Sequence, residues 1–138
     1  MRNFSKCIAK VMVCVCLVLV VTSMPVRVHA LETESAESRM TYITSYTTDL
    51  SISSTGVATV TGSVRGKSGV TSSYVTCTLQ MSVGGDWVDV KSWTDANNAR
   101  GSTVAETYQL SSRGTYRVFM ECGANTEEKT LTSAYRTY

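Results

Sequence analysis

The chain has 138 residues, thirteen Lys or Arg against eleven Asp or Glu, a formal charge of +2, one His and one Pro. Arg2, Lys6, Lys10, Arg27, Pro25 and His29 all fall within the first thirty residues, so residues 31–138 keep nine basic side chains, a charge of about −2 and no His. That excludes a basic patch for nucleic acid or an anionic membrane, and it excludes His-dependent triads and His general bases.

Arg2, Lys6 and Lys10 form a positive region, Val11 to Val21 an unbroken apolar run, and Val28 and Ala30 sit third and first before a cut after Ala30. Basic, apolar and small residues in that order are the signature of an export signal. The apolar run has eleven residues, short of the ~20 that a permanent bilayer anchor needs; an uncleaved signal anchor is the rival reading. Cys14 and Cys16 lie inside the run and not after a cleavage box, so no lipoprotein is expected. The expectation is a signal peptide over 1–30, cleavage between Ala30 and Leu31, and a secreted, extracellular product without stable membrane insertion. Residues 31–41 (LETESAESRMT) are polar and without period, a flexible leader. Residues 42–138 then form one domain, a size that buries roughly two-thirds of its unfolded surface.

From Tyr42 onward the hydrophobic period is two, the period of strands. Leu50 and Ile52 run into Ser54-Thr55-Gly56 and out through Val57 to Val60. A three-residue loop ending in Gly suits a hairpin, and it pairs Ile52 with Ala58, Leu50 with Val60 and Tyr46 with Val64. Each pair keeps its apolar members on one face, which supports the register. Gly62, Gly66 and Gly69 read as turn glycines, with no helix following them to make a phosphate loop.

Val75, Cys77, Leu79, Met81 and Val83 alternate with polar residues up to Gly84-Gly85, a favoured two-residue turn. The turn sets Met81 opposite Val88, Leu79 opposite Val90 and Cys77 opposite Ser92. Trp87, Asp89, Lys91 and Trp93 then point away from the core, with Trp93 opposite Thr76 and Tyr74 one pair further along. Tyr74, Trp87 and Trp93 are therefore the candidate binding face, because large exposed apolar patches mark interaction sites. The rival reading buries these rings under the loop from Thr94 to Ser102, the Tyr-rich tail (Tyr135, Tyr138) or a second sheet.

A weaker strand is expected from about Thr103 to Leu110. Tyr116, Val118, Met120 and Cys122 then alternate inward, and a last strand runs from about Glu127 to Ser133. Seven strands with short turns have the layout of an all-β, immunoglobulin-like or fibronectin-type sandwich; a small β-barrel is the alternative. Gly114-Thr115-Tyr116 resembles the tyrosine corner of such folds, although Cys122 follows Tyr116 by six residues and not by the two of the antibody pattern.

Cys77 and Cys122 share the inward phase in a chain read as exported, which points to a structural disulfide. Closing that loop would be worth roughly 4 kcal/mol in the simple chain-entropy model. Free buried thiols are the other option, and two thiols without His make no closed zinc site. Glu127 and Glu128 are adjacent and point to opposite faces of a strand. Asp86, Asp89 and Asp95 lack calcium-loop spacing. No catalytic residue, cofactor or metal is assigned.

Leu79-Gln80, Gly85-Asp86-Trp87, Val90-Lys91-Ser92-Trp93, Gly114-Thr115-Tyr116-Arg117-Val118, Glu127 and Ser133-Ala134-Tyr135 together resemble a group of small secreted proteins of Gram-positive, spore-forming bacteria, functionally uncharacterised as a group. The likeness covers about residues 42 to 138. It implies export and a β-sandwich, and it implies no activity and no functional residue. The functional expectation is a secreted, non-enzymatic binding or surface-associated module whose partner is a glycan or a protein. The alternative is a small secreted antagonist, antibacterial or toxin-like, which calls for a basic or amphipathic membrane-active segment that residues 31–138 lack.

Overall fold

The computed structural model describes residues 40–138. The expected signal peptide, the Ala30/Leu31 cut and residues 31–39 of the leader lie outside the described residues. The described residues form one compact unit. Its strands are β1 (Ile43–Ile52), β2 (Val57–Gly66), β3 (Ser73–Val83), β4 (Asp86–Asn97), β5 (Gly101–Gln109), β6 (Thr115–Ala124), β7 (Glu127–Thr132) and the short β8 (Arg136–Thr137).

They build two antiparallel sheets, one in the order β1-β2-β5 and one in the order β4-β3-β6-β7, with β8 beside β6. The chain changes sheet between β2 and β3, between β4 and β5 and again between β5 and β6. The result is an open, face-to-face β-sandwich, and the barrel alternative is not formed. Each strand carries one apolar row, and stacking two such faces removes both rows from water. Leu50, Ala58, Val60 and Val104 meet Val75, Leu79, Val118 and Met120 there, all nearly or fully buried.

The β1–β2 hairpin has the expected register, with Ile52 opposite Ala58, Leu50 opposite Val60 and Tyr46 opposite Val64. Gly62, read from the sequence as a turn glycine, instead lies inside β2, opposite Thr48 and Val104. A Cβ there would overlap Cys77 Sγ, and it would come within 3.0 Å of Met120 Sδ and 3.2 Å of Val75 Cγ1. Gly62 is the point where the other sheet's side chains touch the β2 backbone. Gly66 is the last residue of β2, and of the three only Gly69 sits in a turn with positive φ (+90°).

Gly84 (φ +62°) and Gly85 (φ +94°) make the expected two-residue turn between β3 and β4. Near it the register is as expected, with Met81 opposite Val88, but a bulge between Leu79 and Gln80 then shifts it. Leu79 pairs with Lys91 and Cys77 with Trp93, not with Val90 and Ser92 as the unbroken alternation required. One extra residue on β4 reverses the facing of everything beyond it. Trp93 turns inward and meets the Tyr108 ring of β5 edge-on, centroids 6.2 Å apart at 74°. Burying even half of a Trp is worth about 2 kcal/mol, which offsets the local break in the ladder. The segment expected as a loop from Thr94 to Ser102 is mostly strand, because β4 runs to Asn97 and β5 begins at Gly101.

Tyr116 is 2% exposed and its hydroxyl donates to the Ser112 carbonyl at 2.7 Å, the geometry of a tyrosine corner. Glu127 Oε2 accepts the backbone N–H groups of Tyr42 (2.7 Å) and Ile43 (2.8 Å), tying the start of β1 to β7. Burial works to raise that carboxyl's pKa, and the backbone donors of Ile43, Tyr42 and Thr41 outweigh it and hold the pKa below the usual value. Glu128, on the opposite face, accepts from Tyr74 instead.

Cys77 and Cys122 are fully buried free thiols, so the expected Cys77–Cys122 disulfide is not formed. Both lie in the same sheet, where Cys77 stands opposite Met120 and Cys122 opposite Val75. They are diagonal neighbours, whose Cα atoms stand about 7–8 Å apart, beyond the usual reach of a disulfide. Shared inward phase does not bring two strands' cysteines to the same rung.

Burial pushes both thiols up to about 11; a Thr48 hydrogen bond opposes this at Cys77, and Lys129 opposes it at Cys122. The folded protein therefore keeps protons that the unfolded chain releases above about pH 9. Stability from this source is complete below pH 9 and is lost as pH rises towards about 11. Urea midpoints measured across that interval should fall, and a Cys77→Ala/Cys122→Ala variant should fall less steeply. An equally steep fall in the variant would assign the effect to other groups.

Candidate functional site

The outward positions of β3 are Tyr74, Thr76, Thr78 and Gln80, all half-buried, with β4 on one side and β6 on the other. The three aromatic residues of the expected binding face are dispersed around this strand. Trp93 leaves the face altogether, for the reason given by the bulge. Tyr74 lies at one end. Trp87 lies at the other, opposite Ser82, eight residues along β3 from Tyr74 and so about 26 Å away.

Trp87 is the centre of a defined cluster. The Arg117 guanidinium carbon sits 4.2 Å from the Trp87 ring centroid, and the Tyr135 ring lies 5.3 Å away at 32°. Arg117 Nε donates to Gln80 Oε1 at 2.8 Å, and Gln80 Nε2 donates to Asp89 Oδ1 at 2.8 Å. A carboxylate on β4 thus orients an amide on β3, which orients a guanidinium on β6 against the indole. Cation–π contact of this kind is worth about 0.5–1 kcal/mol where water reaches it, enough to fix a rotamer. Tyr135 remains 60% exposed against it, and on the opposite face of the same hairpin tip Val83 and Val88 are 52% and 49% exposed. The two valines are on the inward phase, yet the hairpin tip carries them into solvent.

Gln80 and Arg117 carry no role in the expectations drawn from the sequence. Their alternation places them outward, but only the β3–β6 pairing, Gln80 opposite Arg117, makes them neighbours. Tyr135 was expected as a cover for the rings, and it does lie against Trp87.

The cluster offers an aromatic surface with one fixed cation. Among the described residues no three His, Cys, Asp or Glu side chains gather as a metal set, and no helix is long and apolar enough to cross a membrane. No protein-family model and no curated protein matches the chain.

Proposed function

We propose that the chain is exported and that its mature form, beginning at Leu31, is a non-enzymatic binding module that docks a protein partner through the β3–β4 hairpin tip. The succession of basic, apolar and small residues over 1–30 supports export, as does the resemblance to secreted Gram-positive proteins. The observation that carries the binding role is the Trp87–Arg117–Tyr135 cluster, at a hairpin tip that also leaves Val83 and Val88 exposed. Trp, Tyr and Arg are the side chains that dominate the energetics of protein interfaces, and they do so from preordered positions. A sugar would need an open ring face, and Trp87 already stacks on Arg117. A protein surface can use the Tyr135 ring and the spare guanidinium N–H groups together.

The test places a photo-reactive residue at Val88 in the protein made by its native host, with Thr107 on the far sheet as the comparison position. A discrete adduct from Val88 that disappears with Tyr135→Ala supports the proposal. Absence of any adduct from Val88, or equal adducts from Thr107, would remove it.

A further inference from the structure

We infer that the cleft at the Tyr74 end of the sandwich binds an uncharged saccharide, at a site separate from the hairpin tip. The cleft has a volume of about 300 Å³, at the small end of the range for ligand pockets. It opens where the β2–β3 loop, the end of β4 and the β6–β7 turn come together.

Its floor is the Tyr74 ring. The ring lies against the β6 backbone at Gly123, in space that a Cβ on Gly123 would take, and its hydroxyl donates to Glu128 Oε1 at 3.1 Å. The ring is thus held at both ends while remaining half-open to the cleft.

The rim is equally fixed. Asn125, at φ +52°, uses Oδ1 to accept from Thr71 N (3.1 Å), Ser72 N (3.3 Å) and Thr71 Oγ1 (3.3 Å), and its own N–H donates to the Ser72 carbonyl at 2.9 Å. Its Nδ2 donors are left for a ligand. Asn97 Nδ2 donates to Asp95 Oδ2 at 2.8 Å and to Ser102 Oγ at 3.1 Å, which leaves Oδ1 as an acceptor. Asn98 and Ser72 add an exposed amide and a hydroxyl.

No lining side chain is charged. An anionic ligand would find no counter-ion and would face the carboxylates of Glu128 and Asp95 behind the lining, and an apolar one would strand the amides without partners. A sugar satisfies both halves, with its C–H face on the Tyr74 ring and its hydroxyls on the Asn and Ser groups. Because the rim is already ordered by its own hydrogen bonds, little ordering cost opposes binding.

The experiment titrates the ¹⁵N-labelled protein with the N-acetylglucosamine trimer and with cellotriose, and with trigalacturonate as an anionic comparison. Saturable shifts confined to the amides of Tyr74, Asn98, Gly123 and Asn125 are expected, with a dissociation constant on the order of 1 mM. Asn98→Asp, on an exposed position, should weaken binding about tenfold, and Tyr74→Ala as much, while Tyr74→Phe retains it and Tyr135→Ala leaves it unchanged. If Tyr74→Ala fails to fold, Asn98→Asp decides. No saturable shift with either neutral sugar, equal binding of trigalacturonate, or indifference to Asn98→Asp would overturn the inference.

Discussion

Gly62→Ala should cost about 3 kcal/mol, the upper end of the roughly 1–3 kcal/mol that overpacking a filled core usually costs. The new methyl would occupy the position of Cys77 Sγ, with Met120 Sδ at 3.0 Å and Val75 Cγ1 at 3.2 Å closing off escape. Cys77 is fully buried and its side chain has a single rotatable bond, so only a change of rotamer against packed neighbours could move the sulfur. The two sheets must separate locally, or the sulfur must leave its rotamer. Removing the sulfur supplies the control. Cys77→Ala alone should lose about 1–2 kcal/mol through the cavity it leaves. In Gly62→Ala/Cys77→Ala the two changes should partly compensate, with a coupling energy of about 1–3 kcal/mol. Urea denaturation of all four proteins measures this directly. Additive losses would mean that Gly62 and Cys77 do not share that space.

Tyr116→Ala should lose about 3–5 kcal/mol, the range for emptying a buried aromatic site, and Tyr116→Phe only about 1 kcal/mol. The ring is buried between the sheets, and the hydroxyl alone reaches the Ser112 carbonyl at 2.7 Å. That bond closes the passage from β5 to β6, the last point at which the chain changes sheet. In a domain of this size a 1 kcal/mol loss lowers Tm by about 4–8 °C, so calorimetry of the Phe variant resolves it. The C-terminal strap reinforces the same corner. Gly114 and Tyr138 exchange backbone hydrogen bonds (3.0 and 3.3 Å), and Arg136 Nε donates to the Leu50 carbonyl at 2.9 Å. An unchanged Tm for Tyr116→Phe would show that the strap, and not the hydroxyl, holds the corner.

Both expectations turn on contacts between sheets, and that is where sequence and structure part. Alternation along one strand reports which face is buried, not which residue of another strand it meets. Gly62 has no side chain to register in an apolar pattern, so it read as a turn residue, although its lack of a Cβ is what lets Cys77 approach β2. The inward phase of Cys77 and Cys122 was legible, and both are buried. Their rung was not, because β3–β6 pairing is set by strands some forty residues apart in the chain, and on their diagonal positions both thiols are free.

The candidate site shows the same division. The outward phase of Trp87 and its nearness to the Gly84-Gly85 turn followed from the hairpin, because a two-residue turn leaves no freedom close to itself. Trp93 lies six residues further, past the bulge, and its facing depended on how much apolar area the second sheet could bury. Arg117 and Tyr135 reach Trp87 from β6 and from the tail after β7, segments distant in sequence.

By itself, then, the sequence determined what depends on neighbours along the chain: the two-fold alternation that makes strands, the β1–β2 register, the glycine turn after Val83 and the Gly114-Thr115-Tyr116 corner. The tertiary structure decided the bulge near Val90, the close approach at Gly62, the separation of the thiols and the assembly of the Trp87 cluster. Each of these is settled by packing between two faces, where the area buried and the space available outweigh the preferences of any single strand.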